Sequence, residues 1–403
     1  MEPFFITHPV LFIGMVLFSG YALSLIFKKY SVPHVLIYLI VGFVIVNVFF
    51  PHIDFETEYN DIFSAIEVIA LGLIGFKIGT ELKIDLIKDH PKFLSVVLLF
   101  EAGGAFIFVT ALTYFVLQDF MIAILLGGLA TPTAPAVTIE IMHRLGAKGV
   151  LTTRLNWVLA FDDLVGITII EGTLVFLQLK FTGTLKIFDF IIGIFHEIGY
   201  AIILGLIIGV LLDYPLERLK NDLSMMELTL GTLILGMGIA AYIETSVIMT
   251  TMVIGATVTN HGGDNYKNAQ DLLETLMSPV MIIFFVIVGS KLLIGDLLQF
   301  PLLVIIYLIG RSFGKIFGAF AGSSITKEDK CIRENIGFGL LAQGGVALGL
   351  ATVINEQLLA QGLSDAGHII SSTILITTFF SEVFGALGTT FALKRAGEVT
   401  VDS

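Results

Sequence analysis

Apolar runs of membrane-spanning length follow one another along almost the whole chain. A helix needs about 20 predominantly apolar residues to cross the hydrocarbon core of a bilayer. The composition agrees, because 56% of the 403 residues are hydrophobic and only 14% are charged. A soluble domain carries about 25% charged residues. The sequence therefore predicts an all-α polytopic membrane protein.

The apolar runs predict about 13 transmembrane helices. No polar stretch between them is long enough for a soluble domain, so residues 1–403 are predicted to form a single transmembrane unit. Numbered span 1 to span 13 in chain order, the predicted spans are 9–27, 33–50, 62–78, 93–117, 121–142, 155–177, 188–212, 226–242, 247–259, 272–288, 302–321, 336–353 and 369–393.

The distribution of Lys and Arg predicts how the chain is oriented in the cell membrane. With the N-terminus outside, sixteen of the 22 Lys and Arg residues fall on the cytoplasmic side and three fall on the outer side. Cytoplasmic loops of membrane proteins carry an excess of these residues. We therefore expect an outer N-terminus, an odd number of spans and a cytoplasmic C-terminus. The formal net charge of −12 argues against nucleic acid as a partner.

Two adjacent aspartates, Asp162 and Asp163, lie in the middle of the apolar run 155–177. A carboxylate at the bilayer centre costs roughly 2.5–3.5 kcal/mol on insertion scales. Lipid offers such a group no partner, so both side chains must face protein or a water-filled cavity. The pair indicates an ion or proton site, and the alternative is a structural ion pair between helices.

Neighbouring residues on a helix point about 100° apart, so the two carboxylates cannot face the same point. One can line an ion pathway while the other meets a cation on a neighbouring helix. Arg311 and Lys315 lie on one face of span 11, four residues apart. We favour Lys315 as the charge partner because Gly314 and Gly318 permit close approach of helices, and the alternative is that Lys315 snorkels to an interface. Arg311 is interpreted either as part of a structural ion pair or as a residue with a role at the site.

Two spans contain helix-breaking residues. Span 5 contains Pro132 and Pro135, which lack backbone donors and whose rings clash with the preceding turn. Span 12 is rich in glycine over residues 337–349. Unwound backbone at membrane depth is tolerated only inside protein or around a cavity. Each break taken alone is also compatible with a kinked packing helix.

The positions of the two breaks predict two inverted repeats. The broken span is the fifth of six in residues 9–178 and again the fifth of six in residues 226–393, with a connector helix over residues 187–212 between them. Interrupted helices at matching positions of two such halves mark the central site of a transporter. Their half-helix ends supply partial charges of both signs. We therefore expect the two interrupted helices to cross near the midplane of the membrane.

Other polar residues in the spans are candidates for supporting roles. We expect Thr131 and Thr133 at the crossing and Gln343 near the facing break, with Thr131 and Asn156 supplying oxygen atoms to a cation. Glu171, further along span 6, is a candidate for the ion pathway. The remaining carboxyl groups within spans are interpreted as structural pairs or interfacial groups, namely Glu67, Glu101, Glu244, Glu274 and Glu382.

In combination, these motifs resemble the monovalent cation:proton antiporters, specifically the branch that carries an aspartate pair. The resemblance covers nearly the whole chain and rests on the combination, since any one motif alone is weak. The matching segments are Phe161–Gly166, Thr131–Thr133, Gly314–Gly318, Gly339–Leu348 and Val32–Tyr38.

This resemblance implies a homodimer in which a core domain moves against a dimerisation domain. It implies that Asp163 binds the cation and the proton in alternation, and that Asp162 pairs with Lys315. One departure lies near Gln343, where many relatives have an arginine or an acidic residue, so their local salt bridges and pH regulation are not carried over. The sequence also shows no cytosolic nucleotide-binding domain of the Kef type.

The sequence therefore predicts a secondary antiporter that exchanges sodium or lithium for protons by alternating access. Carboxylate, hydroxyl and carbonyl oxygens suit such ions, and the cation competes with the proton for a carboxylate whose protonation depends on burial and on nearby charge. No enzymatic activity and no cofactor are expected. The aspartate–lysine combination and the resemblance both point to electrogenic exchange.

Three alternatives remain open at this stage. A potassium/proton antiporter uses the same ligand chemistry. An intramembrane aspartyl protease needs two carboxylates facing each other across one water, which adjacent residues on a helix do not provide. A passive channel needs a continuous polar pore, and the spans are dense in Leu, Ile and Phe.

Overall fold

The computed structural model describes residues 9–27, 34–49, 55–85, 90–182, 187–216, 218–219, 221–261, 265–290 and 300–399. Within these ranges the chain is helical and contains no strand, so the all-α prediction is confirmed. Residues 32 and 33 of the Val32–Tyr38 motif and the side chain of Glu274 lie outside the described part of the structure.

The helices are α1 Pro9–Phe27, α2 His34–Val44, α3 Phe55–Glu81, α4 Pro91–Leu117, α5 Phe120–Leu129, α6 Pro135–Arg144, α7 Val150–Thr182, α8 Ile187–Ile194, α9 Tyr200–Leu216, α10 Asp222–Tyr242, α11 Val247–His261, α12 Asn265–Ser290, α13 Pro301–Ile325, α14 Lys330–Asn335, α15 Gly345–Ala360 and α16 Ser364–Ala396. Three short turns of other helix types extend these helices. A π-helical turn, Ile45–Phe49, follows α2, and another, Phe195–Gly199, lies between α8 and α9. A 3-10 turn, Ile336–Leu340, follows α14.

Several helices are long and apolar enough to cross a membrane. In the described ranges five segments meet both conditions, and the pair formed by residues 330–340 and 345–360, bent by 49°, adds a sixth if it is counted as one span. The five are Pro91–Leu117, Ile191–Leu216, Asp222–Tyr242, Pro301–Ile325 and Ser364–Ala396. The multi-pass character is therefore supported, while the count of about 13 spans stays a prediction.

The helices pack in two groups. In the crossing group, which comprises α4–α7 and α13–α16, α4 packs on α13 and α5, and α16 packs on α6, α15 and the 3-10 turn. In the flanking group, which comprises α1–α3 and α9–α12, α3 packs on α11 and α12, while α2 packs on α12. Contacts between the groups are sparser and include those of α3 with α7 and α15. The crossing group therefore combines helices from both predicted repeats.

Glycines bring α4 and α13 close together at the centre of the crossing group. A Cβ atom at Gly314 would lie 2.6 Å from Ala105 Cα, and one at Gly318 would lie 2.8 Å from Glu101 Cα. Real Cβ contacts are not this short, so only glycine allows the two backbones to approach in this way. The close approach holds Lys315, which is fully buried, between α4 and α7.

Local sequence determines where α5 ends and α6 begins. The Asp119 carboxylate caps the start of α5 by accepting hydrogen bonds from the amides of Met121 and Ile122, at 2.8 and 3.1 Å. Pro135 occupies the first turn of α6, where a missing N–H is not needed and the fixed φ suits a helix start. Between Leu129 and Pro135 the chain is not helical, which confirms the predicted break in span 5.

Candidate functional site

The two broken segments contact each other directly. The Ala134 amide, in the break between α5 and α6, donates a hydrogen bond to the Ala342 carbonyl, in the break between the 3-10 turn and α15, at 3.1 Å. The Thr138 hydroxyl adds a second link by donating to the Gly339 carbonyl at 2.9 Å. The crossing expected from the sequence is therefore present, and backbone groups that have left their helices are paired across it.

Arg311 holds both broken segments through their backbone. The residue is 1% exposed, and its guanidinium donates to the carbonyls of Ala130 at 3.1 Å and Pro132 at 2.9 Å in one break. It also donates to the carbonyls of Leu341 at 2.5 Å and Ala342 at 2.9 Å in the other. A guanidinium has five N–H donors in a fixed fork, so one side chain can satisfy four carbonyls. The structure thus places Arg311 at the crossing, and a role for it in transport stays a prediction.

Two threonines of the first break lie at the crossing, as expected. The Thr131 hydroxyl donates to the Gly128 carbonyl at 2.7 Å and lies 3.4 Å from the Gly166 carbonyl of α7. The Thr133 hydroxyl lies 3.4 Å from the Leu340 carbonyl at the end of the 3-10 turn. Both threonines are buried, and each hydroxyl oxygen has lone pairs besides the hydrogen that it donates.

Gln343 projects from the second break toward the first. Its amide nitrogen donates to the Leu129 carbonyl at 2.9 Å and to the Tyr307 hydroxyl at 2.8 Å. Its Oε1 atom is buried and has no hydrogen-bond partner among the described residues. An unpaired acceptor oxygen therefore lies in the second break.

Lys315 is shared by two buried carboxylates. Its Nζ atom lies 2.5 Å from Glu101 Oε2 on α4 and 3.2 Å from Asp162 Oδ1 on α7, and all three side chains are fully buried. The ion pair expected between Asp162 and Lys315 is thus present, but it belongs to a three-membered cluster. With both carboxylates ionised, the cluster carries one net negative charge, and one proton would make it neutral.

Asp163 makes no hydrogen bond or ion pair with this cluster in the described part of the structure, in keeping with the angle of about 100° between adjacent residues on a helix. The residue is 2% exposed, and its Oδ1 atom has no hydrogen-bond partner among the described residues. A buried, unpaired carboxylate oxygen is costly unless something binds it. Its helix touches the broken segment, because a Cβ at Gly166 would lie 3.1 Å from Pro132. The arrangement can bind a cation or a proton at Asp163 while Asp162 stays with Lys315.

Comparison with known proteins identifies the family. A family model described as sodium/hydrogen exchanger, transmembrane, matches residues 14–395. The chain belongs to the sodium/hydrogen exchanger family. Over 186 residues this family member is 25% identical to the Na(+)/H(+) antiporter NhaP of Pseudomonas aeruginosa, and the match spans 44% of this chain and 42% of that antiporter.

Solved structures of the sodium proton antiporter MjNhaP1 from Methanocaldococcus jannaschii share the fold of this family member. The structure at pH 8 has a TM-score of 0.82 at 19% identity and covers 96% of this chain and 99% of its own. A second, from electron microscopy, has a TM-score of 0.75 at 18% identity and covers 100% of both chains. The antiporter fold that the sequence predicted is therefore confirmed.

The other carboxyl and amide groups singled out in the sequence lie in different surroundings. Glu171 is buried and accepts a hydrogen bond from the Ser246 hydroxyl at 2.5 Å. Asn156 is exposed on α7, so the structure does not bring it to the crossing. Glu244 is exposed after α10, whereas Glu382 is buried on α16 with an Oε2 atom that has no partner among the described residues.

Sequence reasoning did not place Glu101 in the lysine cluster, although the chain carries a signal for it. Glu101 is the one charged residue in the apolar run 93–117, and a glycine pair follows it at Gly103 and Gly104. A small-residue stripe on α4 that matches Gly314 and Gly318 on α13 indicates that the two helices meet face to face. That match would have placed Glu101 near Lys315.

Proposed function

We propose that the protein is a secondary antiporter that exchanges sodium or lithium for protons across the cell membrane. The observation that carries this proposal is the buried Asp163 carboxylate, with an unpaired oxygen, on the helix that contacts the crossing of two broken helices. Family membership supports it, and the similar NhaP and MjNhaP1 proteins are both described as sodium/proton antiporters.

The chemistry of the proposed site is competition for one carboxylate. Asp163 binds either a proton or a monovalent cation, and the oxygen atoms of Thr131, Thr133 and Gln343 supply further ligands for the cation. These are hard oxygen ligands of the kind that alkali cations take. Asp162 remains with Lys315 and Glu101 in the buried cluster next to the site.

The division into two helix groups supports alternating access as the mechanism. The crossing group carries Asp163, Lys315 and both breaks, while sparser contacts join it to the flanking group. Movement of one group against the other exposes Asp163 to each side of the membrane in turn. The same proposal includes a homodimer formed through the flanking group, an outer N-terminus and a cytoplasmic C-terminus.

Potassium/proton exchange is the alternative substrate hypothesis, because potassium takes the same oxygen ligands. The geometry does not favour an aspartyl protease, since the Asp162 carboxylate is paired with Lys315 and adjacent residues on a helix diverge by about 100°. Exchange assays with different cations decide between sodium and potassium.

The decisive experiment uses the protein in proteoliposomes with an imposed pH gradient and a pH-sensitive dye. Sodium, lithium and potassium are added in turn, and we expect dequenching with sodium and lithium. Asp163→Asn keeps the volume of the side chain and removes its charge, so exchange should fall to the level of empty liposomes. Asp365→Asn, at an exposed position in the first turn of α16, is the matched control and should exchange normally. Normal exchange by Asp163→Asn would rule out the proposed mechanism.

A further inference from the structure

A cavity of about 600 Å³ lies between the crossing group and the flanking group. From the crossing group, α5, α7 and α15 line it through residues that include Leu125, Glu171 and Leu350. From the flanking group, α3 and the turn between α10 and α11 line it through residues that include Leu71 and Ser246. Most of its wall therefore belongs to two bodies that the proposed transport cycle moves apart, and the π-helical turn Phe195–Gly199 adds His196 and Glu197.

One short hydrogen bond crosses the cavity wall from one group to the other. The Ser246 hydroxyl, in the turn before α11, donates to Glu171 Oε1 on α7 at 2.5 Å. Both residues are buried, at 5% and 6% exposure, so water does not compete freely for this bond. A second and longer contact, of 3.5 Å, joins the Ser64 hydroxyl of α3 to the Glu356 carboxylate of α15. In this pair too, the serine belongs to the flanking group and the carboxylate to the crossing group.

Ser246 is held in place by its own surroundings. Its hydroxyl accepts a hydrogen bond from the Met249 amide at 3.2 Å, which caps the start of α11. The neighbouring Thr245 hydroxyl donates to the Glu197 carbonyl at 2.6 Å. Glu197 lies in the π-helical turn Phe195–Gly199, a type of helical irregularity that often marks functional sites. The serine is thus a fixed donor, and Glu171 is the side that must move away when the groups separate.

Glu171 also lies on the helix that carries the proposed cation ligand, Asp163. It lies eight residues further along, which corresponds to about 12 Å along the helix axis. Because α7 is a continuous helix over this distance, a movement of α7 that exposes Asp163 carries Glu171 with it. The Glu171–Ser246 bond cannot persist through that movement if Ser246 stays with α11.

We propose that Glu171 is a gating residue of the transport cycle, whose hydrogen bond to Ser246 keeps the two helix groups together on the cavity side. When the bond breaks, the groups separate there, and the freed carboxylate lines the passage taken by the cation. This inference rests on the proposed antiport function, but it concerns a hydrogen bond that can be tested without measuring transport.

The test measures the accessibility of the cavity wall with one reporter cysteine. Cys331 is the only cysteine in the sequence, so Cys331→Ser gives a cysteine-free background. Leu350→Cys then places a reporter at a wall position that is 2% exposed. The labelling rate with a polar maleimide is measured on purified protein in detergent, in variants that keep a monodisperse elution profile.

We expect Ser246→Ala and Glu171→Ala each to raise the labelling rate at position 350 at least threefold. The double variant should be no faster than the faster single variant, because both substitutions remove the same bond. Asn221→Ala is the control, since it removes the side-chain cap of α10, away from the cavity lining, and should leave the labelling rate unchanged.

Unchanged labelling in both single variants, or additive increases in the double variant, would overturn the proposal. An increase in Asn221→Ala equal to that in Ser246→Ala would also overturn it, because general loosening would then explain the result. Repeating the measurement in an Asp163→Asn background separates the two proposals, since labelling needs no exchange. If Ser246→Ala and Glu171→Ala raise the labelling rate as expected but the wild-type protein shows no exchange, the result contradicts the antiport function alone.

Discussion

At the scale of single residues, the Lys315 ammonium group, which two buried carboxylates share, determines the stability of the site. Removing one partner of a buried ion pair costs about 3–5 kcal/mol, because an uncompensated charge is left behind. We predict that Lys315→Gln lowers the thermal unfolding temperature strongly, since it leaves Glu101 and Asp162 together without their cation. Glu101→Gln should lower the unfolding temperature less, because it leaves the Lys315 ammonium group paired with the Asp162 carboxylate. Thermal unfolding of the purified protein in detergent compares the two variants.

The double variant provides the control for this prediction. Combining Lys315→Gln with Glu101→Gln removes one positive and one negative charge, so the unfolding temperature should recover part of the loss caused by Lys315→Gln alone. Equal unfolding temperatures for all three variants would contradict the view that the three side chains act as one cluster.

At the scale of helices, the contact between α4 and α13 depends on particular glycines, and two neighbours on α4 test this. A Cβ at Gly104 would lie 3.2 Å from the Gly314 carbonyl carbon and 3.3 Å from Gly318 Cα, whereas a Cβ at Gly103 would meet no atom within 4 Å. Overpacking costs about 1–3 kcal/mol. We predict that Gly104→Ala lowers the unfolding temperature and the exchange rate, because Lys315 is displaced from Glu101 and Asp162.

Gly103→Ala is the matched control, with the same chemical change one position away in open space. Alanine favours the helix over glycine by about 0.8–1.0 kcal/mol, so this variant should be as stable as the wild type or slightly more stable. Similar losses in both variants would mean that glycine flexibility in α4, rather than close packing, is what the site requires.

At the scale of the whole molecule, the prediction concerns net charge movement. If Asp163 alone exchanged one proton for one monovalent cation, with every other charge constant, transport would be electroneutral. If Lys315 releases a proton when the cation binds and regains it later, each cycle moves more protons than cations. We therefore predict electrogenic exchange, seen as transient currents on a supported membrane when sodium is added without an applied potential.

Lys315→Gln, compared per amount of folded protein, should reduce these currents more than it reduces the accompanying pH change. The Asp365→Asn control should retain both signals. Exchange by the wild type without measurable current, at a rate indifferent to membrane potential, would leave Lys315 as a structural partner of Asp162 only.

Much of this protein could be predicted from local sequence. Apolar runs predicted an all-α membrane protein, because the bilayer sets the length and polarity of a spanning helix. Pro132 and Pro135, together with the glycines after residue 336, predicted where two spans are interrupted, because those residues remove donors or favour other backbone conformations. The adjacency of Asp162 and Asp163 predicted that they diverge, since that angle is fixed within one helix.

Only the tertiary structure decided which helix faces meet. Glu101 shares Lys315 because α4 lies against α13 and α7, although the lysine is more than 200 residues away in sequence. Arg311 binds carbonyls of both breaks, and Ser246 holds Glu171, through contacts between segments that no local pattern links. Hydropathy and helix geometry act over a few residues and can be read along the chain, whereas these hydrogen bonds arise from the packing of distant helices.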